Sequence, residues 1–83
     1  MYIQYQFEKQ RNLDLSFVNN TISKSLEQLY GIIGMAKFQY QIVEIIGNKA
    51  KIEIEQDLLQ EFWTAIILCS EYGNVKYKCV LIQ

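Results

Sequence analysis

The sequence predicts an α+β domain whose elements follow the order β-α-β-β-α-β, and three observations carry that expectation. Four stretches alternate apolar and polar residues with period two, the pattern of a half-buried strand. Two others space apolar residues three and four apart, the pattern of a helix with one buried stripe. Glycine-bearing punctuation falls between them, at Gly31, Gly47-Asn48 and Gly73-Asn74.

The first strand covers residues 1 to 7, with Met1, Ile3, Tyr5 and Phe7 on one face and Tyr2, Gln4 and Gln6 on the other. Glu8 to Ser16 is polar and forms a connection, with Leu13 and Leu15 tucked against the body. Ser16 is placed to cap the first helix, whose stripe is Phe17, Val18, Ile22, Leu26, Leu29 and Tyr30, and Gly31 stops it. From Ala36 period two resumes, with Phe38, Tyr40 and Ile42 against Lys37, Gln39 and Gln41, and extends through Val43, Ile45 and Ile46. Gly47-Asn48 makes a hairpin turn into a third strand, where Ala50, Ile52 and Ile54 alternate with Lys49, Lys51, Glu53 and Glu55. The second helix opens near Gln56 or Asp57, buries Leu58, Leu59, Phe62, Trp63, Ile66 and Cys69, and ends at Tyr72-Gly73-Asn74. Ala65, Ile67 and Leu68 widen its stripe so far that it either carries extra cover or lies at an interface. Val75 to Ile82 is the last strand, with Val75, Tyr77, Cys79 and Leu81 on its inner face.

Two right-handed crossovers around a central hairpin fold this order into a four-stranded antiparallel sheet with both helices on one face. That is the ferredoxin-like sandwich, also the topology of the RNA recognition motif. Residues 1–83 form a single domain, because a chain this short buries only roughly 60–65 % of the surface its unfolded form exposes and sustains one core. The 51 % hydrophobic and 20 % charged residues belong to a globular chain, and a net charge of −1 argues against gripping duplex nucleic acid through a continuous basic face.

The chemistry available is narrow. The chain has no histidine, which removes the commonest general base and metal ligand. Cys69 and Cys79 follow no zinc or disulfide spacing and read as buried thiols in a reducing compartment. The longest dense apolar run, Phe62 to Cys69, is far short of the ~20 residues that span a bilayer, so no membrane is expected. Glu53 and Glu55 share a strand face and are able to do acid/base work or hold a divalent ion, but lysines interleave with the face and a solvated strand is the simpler account. The glycines build no phosphate-cradling loop. The third strand lacks the stacking aromatics of an RNA recognition motif. What remains for RNA is Tyr2, able to stack a base, and the basic residues Lys9, Arg11, Lys49, Lys51, Lys76 and Lys78, able to meet phosphates. For a protein partner the anchors are Phe62, Trp63, Ile66, Ile67 and Tyr2.

Two stretches then carry a resemblance. SLEQLYGIIGMAKFQYQIVE is similar to the helix, aromatic-glycine stop and following strand of the small ribonuclease P protein subunits. FWTAIILCSEYGN and KYKCVLIQ resemble the tryptophan-bearing helix and cysteine-containing last strand of the fourteen-kilodalton subunit type shared by nuclear ribonuclease P and ribonuclease MRP. The likeness runs from about Tyr5 to Gln83 and consists of packing residues. The third strand lacks the arginine, and the last strand the serine-glycine-threonine ending, of the related fifth processing-of-precursor subunit. The resemblance implies a non-catalytic protein cofactor of an RNA-based endonuclease that removes the 5′ leader of precursor tRNA. Its magnesium ions would belong to the RNA, and this chain would bind no cofactor. It also implies partners, namely a sister subunit of the same fold and barrel-type thirty-kilodalton subunits, and a place in the nucleus and nucleolus. It leaves open whether the isolated chain forms a homodimer. Below it rank a small-molecule-sensing module of the same fold, a free-standing RNA recognition module, and an acylphosphatase-like hydrolase built on Arg11.

Overall fold

A computed structural model describes residues 1–7 and 13–82. They form β1 (Tyr2–Phe7), α1 (Leu15–Met35), β2 (Tyr40–Ile46), β3 (Lys49–Ile54), a 3-10 turn (Gln56–Leu58), α2 (Leu59–Leu68), β4 (Glu71–Tyr72) and β5 (Val75–Ile82). The chain is α+β with two helices and an antiparallel sheet, as expected. That sheet has five strands in the order β2-β3-β1-β5-β4, where four were expected.

β1 lies at the centre because its inner face is wholly apolar. Ile3 and Tyr5 are buried, as are Ala50 and Ile52 of β3 and Tyr77 of β5 beside them. Both helices cover this face, α1 with Phe17, Val18, Ile22 and Leu26 and α2 with Phe62, Ala65 and Ile66. The aromatic rings of Tyr5, Phe7, Phe17 and Tyr77 meet at centroid distances of 5.3–6.1 Å, and Phe38, Tyr40 and Phe62 form a second group at 5.6–6.3 Å. The hydroxyls of Tyr5 and Thr21 are paired within the core. The Thr21 hydroxyl donates to the Val18 carbonyl at 2.9 Å, so the Tyr5 hydroxyl donates to Thr21 Oγ1 at 2.7 Å.

Three boundaries and one register differ from expectation, the first being that β2 opens at Tyr40 and not near Ala36, which leaves Phe38 before the strand. α1 is capped by Asp14, not Ser16: extended backbone (φ −124°, ψ 166°) lets Asp14 Oδ1 accept the Phe17 N–H at 2.7 Å. Leu13 and Val18, the positions of a hydrophobic staple around that cap, are both buried, whereas Leu15 stands exposed instead of tucking in. α2 ends at Leu68, several residues before Tyr72, because Gly73-Asn74 closes a hairpin and not a helix. Gly47 and Gly73 both have φ near +60° (59° and 62°) with no positive φ at the asparagines, the pattern of a II′ turn, and the second such turn creates β4. In β2 the register slips between Ile42 and Glu44, leaving Val43 as a bulge. The alternation therefore changes phase, so that Ile42 and Ile45 turn inward and Val43 and Ile46 turn outward.

Gly31 breaks the helix where expected, but the chain adds one more turn through Met35. Its φ of 77° and ψ of 172° lie in a region that only glycine occupies without strain. A Cβ there meets no atom within 4 Å, so Gly31→Ala is expected to cost about 1–3 kcal/mol through the backbone alone. Urea unfolding should show this as a lower midpoint at unchanged slope.

Candidate functional site

The sheet face away from the helices is a mixed surface. Strand register places Glu44, Lys51, Tyr2 and Ile82 in one row across it and Ile46, Lys49, Gln4 and Val80 in the next. Tyr2 is 38 % exposed, and Lys51 Nζ lies 5.7 Å from its ring centre. A cation over the ring in this way holds the phenol in place and adds positive charge to the only aromatic side chain of β1 to β5 that these rows expose. Lys78 is exposed one row on, opposite Gln6, and Lys76 is exposed opposite Glu71 of β4.

The helix layer carries a different surface. The Tyr30 hydroxyl donates to the Glu61 carbonyl at 2.7 Å, Lys37 pairs with the Glu61 carboxylate at 2.7 Å, and Lys24 donates to the Glu71 carbonyl at 2.8 Å. These contacts run the helices antiparallel. Between them lies a shallow groove of about 110 Å3 lined by Ser25, Gln28, Leu29, Ala65, Leu68 and Cys69. Leu29 and Leu68 stand on its rim, 41 % and 66 % exposed, and beyond Gly31 the apolar surface continues into Ile32 and Ile33, the latter 91 % exposed. On the other flank of α2, Trp63 is half-buried and Ile67 half-exposed.

Of the expected protein anchors, Phe62 and Ile66 belong to the core and offer nothing to a partner. They point to the sheet because α2 sits with its 62-66 edge downward, which leaves Trp63, Ile67 and Tyr2 at the surface. Lys49, Lys51 and Lys78 gather on the outer sheet face, Lys76 lies at the β4 edge, and Lys9 and Arg11 fall outside the described residues. Sequence reading missed Ile32 and Ile33. Ile33 continues the three-and-four spacing of Ile22, Leu26 and Leu29, but the non-helical backbone at Gly31 re-aims the turn that follows, and both isoleucines are left in water.

Two further groups of chemistry-bearing residues are placed. Burial opposes ionisation of the Cys69 thiol, but the hydroxyls of Tyr77 and Ser25, the backbone at Glu71 and the Lys24 ammonium outweigh it and hold the thiol below its ordinary value. The Tyr77 hydroxyl is buried with no nitrogen or oxygen partner among the described residues, and the weakly accepting Cys69 sulfur is its polar neighbour. Glu53 and Glu55 sit on the rim of an open cleft of about 840 Å3 whose floor includes Tyr40, Ile52, Ile54 and Leu59. Among the described residues no three histidine, cysteine or acidic side chains come together as a metal site would need. No protein-family model and no curated protein matches this chain.

Proposed function

We propose that this chain is a non-catalytic protein subunit of the ribonuclease P or ribonuclease MRP type, built on a ferredoxin-like scaffold. In that role it joins other protein subunits around an RNA that removes the 5′ leader of precursor tRNA. The observation that carries the reading is the apolar surface of the helix layer. Leu29 and Leu68 stand exposed on the groove between the helices, as do Ile32, Ile33 and Ile67 elsewhere in the layer, and exposed apolar surface of this kind marks a protein contact. The likeness of residues 25–44, 62–74 and 76–83 to these subunits names the assembly. The sheet order, leaving aside the two-residue β4, suits the ferredoxin-like reading. Tyr2 with Lys49, Lys51 and Lys78 supplies a secondary face for RNA, whose phosphates a few lysines meet only weakly without help from other subunits. A sister subunit of the same fold and barrel-type subunits are the protein partners in this reading, magnesium belongs to the RNA, and the location is nuclear.

Affinity purification of the tagged chain from its native cells tests this, with the RNA sequenced and the proteins identified. A ribonuclease P or MRP RNA and barrel-type subunits are expected to come with it. They should be lost with Ile33→Asp and with Ile67→Asp, and at Ile33, which is almost wholly in water, stability should change by no more than about 0.5 kcal/mol. A preparation with neither RNA nor such subunits would sink the reading. A metabolite recovered in the cleft near Glu53 and Glu55 would put a small-molecule-sensing module in its place.

A further inference from the structure

β4 covers only the start of β5. Glu71 pairs with Lys76 and Tyr72 with Val75, and the Tyr77 N–H donates to the Ser70 carbonyl at 2.9 Å. Backbone polar groups alternate sides along a strand, so Val75 and Tyr77 point theirs away from β1, and Cys79 and Leu81 must do the same. Among the described residues no strand lies against these last two, and their N–H and C=O groups form an open edge.

The far edge of the sheet is protected, and this one is not. β2 carries the bulge at Val43 followed by Glu44, devices that spoil an edge for further pairing. β5 keeps an unbroken register with β1 from Tyr77 to Ile82, and its last four residues, Cys79 to Ile82, contain no charge, proline or glycine. From this difference we infer that the free edge of β5 pairs antiparallel with the same edge of a second copy of the chain, joining two sheets into one. The inference stands on this edge and not on the ribonuclease reading.

Pairing about a two-fold axis at Val80 uses every open group. Cys79 of each copy then lies opposite Leu81 of the other, and two such pairs make four backbone hydrogen bonds. Val80 faces Val80, and Lys78 faces Ile82, so no like charges oppose each other. An axis at Cys79 would set Leu81 against Tyr77, whose N–H Ser70 already holds. The helix above the edge agrees. Ala65 and Leu68 line the groove with α1 while Phe62 and Ile66 face the sheet, so Trp63 and Ile67 turn to the opposite flank, over β5. That flank is uncharged at both positions, and pairing brings it toward its copy.

Light scattering on the purified full chain across a concentration series reads the outcome directly. The mass is expected to approach twice 9.8 kDa at high concentration. Val80→Lys, on a side chain 38 % exposed on the outer face, sets two ammonium groups together at the axis and should weaken self-association on the order of 100-fold with far-UV circular dichroism unchanged. Val80→Cys should give a disulfide-linked dimer under oxidation where the unaltered chain gives none, because directly opposed non-hydrogen-bonded residues have Cα atoms about 4.5 Å apart. A mass that stays at 9.8 kDa at every concentration overturns the inference. So does a dimer that survives Val80→Lys and is not trapped by Val80→Cys.

Discussion

Phe62→Ala is expected to lower the melting temperature by about 12–40 °C. Phe62 has no exposed surface and lies between Phe38 and Tyr40, with ring centres 6.3 and 5.6 Å away. Removing a buried ring loses its transfer energy and leaves a cavity, together about 3–5 kcal/mol. In a domain of this length each kcal/mol moves the midpoint by about 4–8 °C. Total stability of small domains is only about 5–15 kcal/mol, so the variant should lose about a third or more of it. Thermal unfolding followed by circular dichroism measures the shift. Ile67→Ala serves as the contrast, since half of that side chain is already in water and it should move the midpoint far less. Equal losses at the two positions would mean that α2 is rotated about its axis relative to the sheet.

That contrast also marks what the sequence was able to reveal. Along β1, β3 and the first half of β5 each inward residue has a polar neighbour, so Ile3, Tyr5, Ala50, Ile52 and Tyr77 identify themselves as core by alternation. In α2 no such filter exists. Phe62, Trp63, Ala65, Ile66, Ile67 and Leu68 are all apolar, and their spacing does not distinguish a rotation that buries Phe62 and Ile66 from one that buries Trp63 and Ile67. Packing against α1 fixes the rotation, through the Tyr30 to Glu61 and Lys37 to Glu61 contacts between residues distant in sequence.

The same gap explains the other departures. Val43 looks like a strand residue in a run of β-branched neighbours, and only its partner β3, one residue shorter over that span, shows that it bulges. Gly-Asn occurs twice, and it read as a hairpin at 47–48 because alternating residues flank it on both sides. At 73–74 the preceding residues continue an apolar helix, so the same dipeptide read as a helix end. Its conformation is nonetheless alike at both places. By sequence Ser16 stands nearer the first periodic residue than Asp14 does; the helix starts two residues earlier, at Leu15 and Ser16, one exposed apolar and one polar residue that add nothing to the stripe.

Alkaline pH should unfold the chain, and the buried acids of the inner sheet face set the window. Burial, and then the charge of neighbouring Cys69, push the Cys79 thiol from its ordinary 9.0 up to about 12. Burial raises the Tyr5 hydroxyl too, with Cys79 adding to it, and burial together with the neighbouring Cys69 thiol raises Tyr77. In the unfolded chain Cys79 loses its proton near 9, whereas the folded chain keeps it to about 12. Between those values the unfolded state binds fewer protons, so stability is fully present below 9 and is lost as pH climbs toward 12. Each such group removes up to about 1.4 kcal/mol per pH unit within its window. Cys69, held below its ordinary value, works in the opposite sense, and its contribution is complete by about pH 9, before the loss from the other groups sets in. Urea midpoints taken across this range should therefore fall, and Cys79→Ala should flatten the decline whatever its effect at neutral pH. Tyr77→Phe is the sharper probe. It removes an ionisable hydroxyl that has no oxygen or nitrogen partner to lose, so neutral stability should hardly change while the alkaline slope decreases. A slope that neither substitution alters would show that these groups ionise in the folded chain as they do in water.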